Sequence, residues 1–210
     1  MWQESEINWN DQEGIVAIGG DLHPERLLDA YRRGIFPWYS DGLPILWWSP
    51  DPRAIIPLDG LVVNRRLRRT VRSGRFRCTL NTAFSQVIHG CSERRDDGTW
   101  ITREMIEAYC QLHVMGHAHS VETWQDGQLV GGIYGIAIGG LFAGESMFHR
   151  SSDASKVAMV HLFEHLRQRC FELFDTQFVT PHTQRMGALE IPRSEYLNRL
   201  KEAVQVQVHF

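Results

Sequence analysis

Between residues 120 and 148 the chain carries three strand-like runs, Ser120–Trp124, Leu129–Ile138 and Leu141–Phe148, broken only by Asp126-Gly127 and Gly139-Gly140. Both breaks suit two-residue hairpin turns, because glycine supplies the positive φ that such turns need. An antiparallel meander follows. Helical periodicity flanks it: Thr102 opens a helix to about Met115, with Met105, Ile106, Tyr109 and Leu112 on one face, and Asp153–Phe171 is amphipathic in the same way. Short strands are expected at Phe76–Leu80 and Phe171–Val179, and a last helix from Arg193 to about Val204. That order gives an α+β fold, a mixed, largely antiparallel sheet flanked by helices.

The first quarter of the chain reads differently. Gly19 to Glu25 forms a turn into a helix that carries Leu27, Leu28 and Tyr31 on its apolar face and stops at Gly34. From Phe36 to Arg53 there follow four prolines (Pro37, Pro44, Pro50, Pro52) and three tryptophans (Trp38, Trp47, Trp48). Proline forbids a long helix there, yet the rings must be buried. We therefore expect a small N-terminal domain over residues 1–58 and a larger one over 59–210.

With 210 residues, 43% hydrophobic and 22% charged, the chain is long enough and apolar enough to bury a core. No run approaches the roughly 18 apolar residues of a membrane span. Glu4, Glu6 and Asp11 stand where a secretory signal would be basic and then apolar, so a cytoplasmic location is expected. Cys78, Cys91, Cys110 and Cys170 show no CxxC pairing and read as reduced thiols.

The net charge of −3 conceals an uneven distribution. No acidic residue lies between Asp59 and Glu93, while Arg65, Arg66, Arg68, Arg69, Arg72, Arg75 and Arg77 all fall there. Seven such cations repel one another unless an anion is expected, and arginine's planar fork suits phosphate. A nucleic-acid backbone is the natural partner, with Trp38 and Trp100 available to stack on single-stranded bases.

Other motifs are weaker. His161 and His165 match an H-x-x-E-H zinc pattern, but a solvated or half-buried helix face explains them more simply, and no metal is expected. Gly116 breaks the apparent cluster of His113, His117 and His119. Gly131, Gly132 and Gly135 match no phosphate-binding pattern and are read as points of close backbone approach. There is no G-x-S-x-G elbow for a covalent hydrolase. Glu145 ends a buried strand, and Asp175 and Gln177 alternate onto one face of another, so these groups need partners or a ligand.

Five blocks, in order, carry a resemblance. They are Gly34-Ile35-Phe36-Pro37-Trp38, Trp47-Trp48-Ser49-Pro50-Asp51-Pro52-Arg53, Gly98-Thr99-Trp100-Ile101-Thr102, Gly116-His117-Ala118-His119-Ser120 and Gly144-Glu145-Ser146-Met147-Phe148. Together, from about Gly14 to Leu197, the chain resembles the bacterial leucyl/phenylalanyl-tRNA-protein transferases. The resemblance implies transfer of Leu or Phe, less well Met, from aminoacyl-tRNA to the N-terminal Arg or Lys of acceptor proteins, tagging them for N-end rule degradation. It implies a GNAT-like acyltransferase domain, no cofactor, and a monomer. By matching positions it assigns Trp38, Trp100 and Phe142 to the aminoacyl-adenosine end, Glu145 and Asp175 to the acceptor peptide, and Gln177 to the reacting amine. Leu162 stands where the family pattern suggests an aromatic pocket residue, and the chain stops at Phe210, earlier than that pattern suggests.

The implied chemistry needs no metal or nucleophilic side chain, because an aminoacyl ester is already activated and a peptide amine with pKa about 7.7–8.0 is partly neutral. On this reading Gln177 and Asp175 are the catalytic pair: Gln177 accepts a hydrogen bond from the amine, while Asp175 orients Gln177 and favours a cationic acceptor. A non-catalytic RNA-binding module is the alternative that the arginines and aromatics also allow.

Overall fold

The computed structural model describes residues 7–9, 14–93 and 99–210. Glu4, Glu6, Asp11 and Gly98, all named above, lie outside the described residues. Strand β1 (Ile15–Ile18) leads to helix α1 (Pro24–Arg32), which ends as expected before Gly34, a residue at φ +75°. The proline- and tryptophan-rich stretch then folds into short strands, β2 (Phe36–Pro37) and β3 (Leu46–Trp48), which join β1 in a three-stranded sheet of order β1-β3-β2. Strand β4 (Arg53–Ile55) already belongs to the large sheet.

The arginine run is helix α2 (Arg65–Arg72), opened by Asn64, whose side chain accepts from the Leu67 N–H. Beyond it come β5 (Arg77–Leu80), α3 (Phe84–Ser92) and α4 (Arg103–Val114). Thr102 caps α4, accepting from the Met105 N–H. The meander is β6 (Ala118–Gln125), β7 (Gln128–Ile138) and β8 (Leu141–His149), each antiparallel to the next. Its glycines are where backbones crowd: a Cβ on Gly135 would lie 2.2 Å from the Ala143 carbonyl oxygen and 2.5 Å from the Phe142 ring.

Helix α5 (Ala154–Gln168) crosses to β9 (Leu173–Gln177), which runs parallel to β8. The described chain closes with α6 (Pro181–Arg185), β10 (Leu189–Ile191) and α7 (Arg193–Ala203). The large sheet has seven strands in the order β10-β4-β9-β8-β7-β6-β5, with β8 and β9 its parallel pair. This is the expected α+β class, a mixed and largely antiparallel sheet with helices packed on it.

The two sheets share one core. Leu27, Tyr31 and Trp47 from the first quarter pack in the same buried cluster as Phe84, Met105, Tyr109 and Tyr134. A second cluster, with Leu162, Phe163 and Phe174, lies beneath α5. Among the described residues no helix is long and apolar enough to cross a membrane.

Candidate active site

The parallel pairing of β8 and β9 runs only from Leu141↔Leu173 to Ala143↔Asp175, although both strands continue. At Gly144 the chains part: a Cβ there would lie 2.9 Å from the Phe174 ring, so only glycine lets that ring close against the strand. The gap between the diverging strands opens into a cavity of about 370 Å³. Volumes of this order accommodate small ligands. Its floor is apolar, from Ile133, Met147, Met159 and Phe174, and its rim carries Trp38, Trp100 and Phe178. Trp38 is held by rings on two sides, with Trp48 at 5.4 Å and Phe178 at 5.3 Å, and stays 38% exposed.

Two of the three anticipated polar residues meet at one end of this cavity. The Gln177 side-chain Nε2 donates to Glu145 Oε1 at 2.9 Å, and both residues are buried and line the wall. Glu145 Oε2 accepts from the Tyr109 hydroxyl at 3.3 Å, and the Tyr109 and Tyr31 hydroxyls bond each other at 2.5 Å. Burial pushes the Glu145 carboxyl up to about 7, reinforced by the Asp175 charge and opposed by bonds from the tyrosines and by Arg53. Burial likewise raises both tyrosines well above the ordinary phenol range, so they remain donors.

Asp175 lies elsewhere. It is 1% exposed and bound by both arms of Arg53, Nε to Oδ1 at 2.9 Å and Nη2 to Oδ2 at 2.6 Å, with the Tyr196 hydroxyl donating to Oδ2 at 2.8 Å. Its link to Gln177 is through the backbone, the Gln177 N–H donating to Oδ1 at 2.8 Å. The expectation that the two side chains share one face is therefore corrected, while a hydrogen bond between the residues is present. Gln177 sits at φ +66°, outside the extended region, so regular alternation ends there and its side chain turns to Glu145 instead. The expected attraction of Asp175 for a cationic acceptor is corrected for the same reason: Arg53 already neutralises it.

Phe142 is 1% exposed and does not line the cavity; its ring lies parallel to that of Phe174 at 5.8 Å, one layer behind the floor. Leu162 is wholly buried in the second core cluster, and the α5 part of the wall comes from Ser155 and Met159. The arginines form a separate surface. All seven are exposed; Arg66 pairs with Asp153 at 3.1 Å and Arg75 donates to Ser151 at 2.8 Å, while Leu67 is the buried anchor of α2.

The histidines disperse. His113 stacks on Phe84 at 4.3 Å, and His119, its pKa lowered to about 4 by burial, bonds Asn81 and the Gly116 carbonyl. His165 packs on Phe210 at 4.5 Å. Among the described residues no three His, Cys, Asp or Glu side chains gather as a metal site would require.

Sequence reasoning missed Tyr31, Tyr109 and Tyr196, and gave Arg53 no role of its own. Tyr109 and Tyr31 were visible as apolar-face residues of their helices. The signal was the hydroxyl itself, which must find a partner when the ring is buried.

Two family models match the chain: leucyl/phenylalanyl-tRNA protein transferase over residues 55–201, and the N-terminal domain of the same family over residues 20–51. Relatives bearing the name leucyl/phenylalanyl-tRNA–protein transferase include that of Solidesulfovibrio magneticus, 56% identical over 90% of this chain and 78% of its own length. That of Stutzerimonas stutzeri is 55% identical over 90% and 85%. Likeness among solved structures is remote. L-PGS from Bacillus licheniformis aligns with a TM-score of 0.43 at 9% identity, over 75% of this chain and 66% of that one. A GCN5-related N-acetyltransferase-like protein from Streptococcus suis gives 0.38 at 15%, over 80% and 63%.

Proposed function

Because the chain belongs to the leucyl/phenylalanyl-tRNA protein transferase family, we propose that it moves leucine or phenylalanine from charged tRNA to the N-terminal Arg or Lys of an acceptor protein. The observation that carries this reading is the cavity's division of labour: an apolar floor, a tryptophan rim, and a buried Glu145–Gln177 pair at one end. Each part has a matching piece of substrate.

The floor of Ile133, Met147, Met159 and Phe174 takes the apolar side chain of the donor. Two methionines make that wall deformable, which suits a pocket that accepts more than one apolar shape. A methylene in such a pocket is worth only about 1–3 kcal/mol, so the preference among Leu, Phe and Met is graded. Trp38 and Trp100 offer faces for the terminal adenosine, and the α2 arginines take the tRNA backbone.

The reacting centre lies by Gln177. Its Nε2 is committed to Glu145, which leaves its carbonyl oxygen to accept a hydrogen bond from the attacking amine. The amine nitrogen bonds to the ester carbonyl carbon, the carbon–oxygen bond to the tRNA ribose breaks, and the amine's proton ends on the released hydroxyl. Orientation supplies the acceleration, and good alignment is worth roughly 7–11 kcal/mol. Glu145, near neutrality in pKa and facing the cavity, is the countercharge for the acceptor's cationic side chain. Asp175 serves Gln177 from behind.

The test is transfer of labelled Leu and Phe from their charged tRNAs to peptides ending in Arg, Lys or Ala. Transfer to the first two at least tenfold above the third is the expected result. Equal transfer to all three would remove the acceptor half of the reading, and no transfer to any would remove the whole.

A further inference from the structure

Gln177 stands at φ +66°, a left-handed conformation that a residue with a β-carbon holds only when its surroundings impose it. Two bonds meet there: its own N–H donates to Asp175 Oδ1 at 2.8 Å, and the Phe178 N–H donates to the Thr176 carbonyl at 2.7 Å, closing a γ-turn around Gln177. The Asp175 carboxylate is in turn immobilised. Arg53 grips both its oxygens, the Tyr196 hydroxyl donates to one, and all three side chains are about 1% exposed. Arg53 is itself over-determined, since Nη1 donates to the Gly34 carbonyl at 2.9 Å and the guanidinium lies over the rings of Phe36 and Tyr196 at 4.8 and 4.4 Å.

We infer that Arg53 and Tyr196 are positioning residues for the transfer: by fixing the Asp175 carboxylate they hold the Gln177 backbone in its left-handed turn, and that turn delivers the Gln177 side chain to Glu145 and the cavity. The inference rests on the reading of Gln177 as the group that meets the amine. With its oxygens taken by a guanidinium fork, a phenol and a backbone N–H, Asp175 has no role left toward a cationic substrate. Its remaining output is the conformation of the residue two places on. Released from the Asp175 bond, the turn keeps only the Phe178–Thr176 bond, and Gln177 is freer to relax toward extended geometry, where strand alternation sets the direction of its side chain. Arg53 reaches Asp175 from β4 and Tyr196 from α7, so the clamp gathers segments remote in sequence onto one carboxylate.

Tyr196→Phe tests this while keeping the ring over Arg53, and Arg53→Lys, which loses the fork, is the harsher variant. Amide exchange at Gln177 is measured in the protein alone, and kcat and KM for charged tRNA are measured with an Arg-ended peptide. Tyr196→Phe is expected to speed Gln177 exchange by about tenfold, with β6 and β7 amides unchanged. It should lower kcat by about tenfold with the KM for charged tRNA within twofold. Arg53→Lys should do more of both; should it fail to fold, Tyr196→Phe decides alone. Unchanged exchange at Gln177 overturns the clamp whatever the enzyme transfers. Faster exchange with kcat intact overturns it too, since the turn would then not matter to chemistry. A wild-type enzyme that transfers nothing refutes the functional reading, and the exchange measurement still decides whether the clamp exists.

Discussion

Glu145 is the residue whose burial has the plainest measurable result. Its pKa rises from an ordinary 4.5 to about 7, so between those values the folded protein holds a proton that the unfolded chain releases. A state that binds more protons is favoured at low pH, and Glu145 therefore withdraws stability as pH rises through that window, by about 3 kcal/mol in all. Urea unfolding of wild type and Glu145→Gln from pH 4.5 to 7 should show the wild type losing that amount relative to the variant; parallel curves would refute it. The same ionisation should lower the KM for an Arg-ended acceptor as pH passes 7, and Glu145→Gln should flatten that trend. That Glu145, Asp175 and Gln177 are buried and need partners was legible from polar residues at strand positions. Their wiring was not. Strand alternation assigns faces only while φ stays extended, and the turn at Gln177 depends on Arg53 and Tyr196, which periodicity cannot bring to β9.

At the scale of elements, α2 is the clearest case of a helix serving two neighbours, with Leu67 turned to the core and its arginines to solvent. Replacing Arg65, Arg69 and Arg72 with Ala should weaken binding of charged tRNA and reduce the slope of log affinity against log salt by about 2–3, one unit or slightly less for each phosphate no longer neutralised. An aminoacyl-adenosine donor, which never reaches α2, should be used nearly as well as before. Equal losses with both donors would make the run structural. In the meander, Gly135→Ala would drive a methyl into the Ala143 carbonyl and the Phe142 ring, and should lower stability by roughly 3 kcal/mol in chemical denaturation. The long elements α4, β6, β7, β8, α5 and α7 were legible because each carries several periods of its pattern, whereas the short α6 and β10 were not. Helix α3 was not, since Gly90, Cys91 and polar positions blur its period; nor were β1 to β4, each two to four residues long and defined by their partners.

Over the whole molecule, the first quarter of the chain and the large sheet share a hydrophobic cluster, and Arg193 on α7 donates to the carbonyls of Ser49 and Trp9. Tryptophan fluorescence, weighted toward the first quarter of the chain where five of the seven tryptophans lie, and far-ultraviolet circular dichroism, dominated by the large sheet and helices, should therefore follow one coincident unfolding transition. Two separate midpoints would mean that the small sheet melts by itself. No local pattern could foresee the cavity, because its walls come from β2, the loop before α4, β8, α5 and β9. That dispersal has a consequence for synthesis. Asp175 is satisfied by a residue encoded 122 positions earlier and another 21 positions later, so the ribosome must deliver α7 before the glutamine can be set. A chain cut short before Tyr196 lacks that donor and the rest of α7, and should transfer less than the full chain in the labelled-transfer assay.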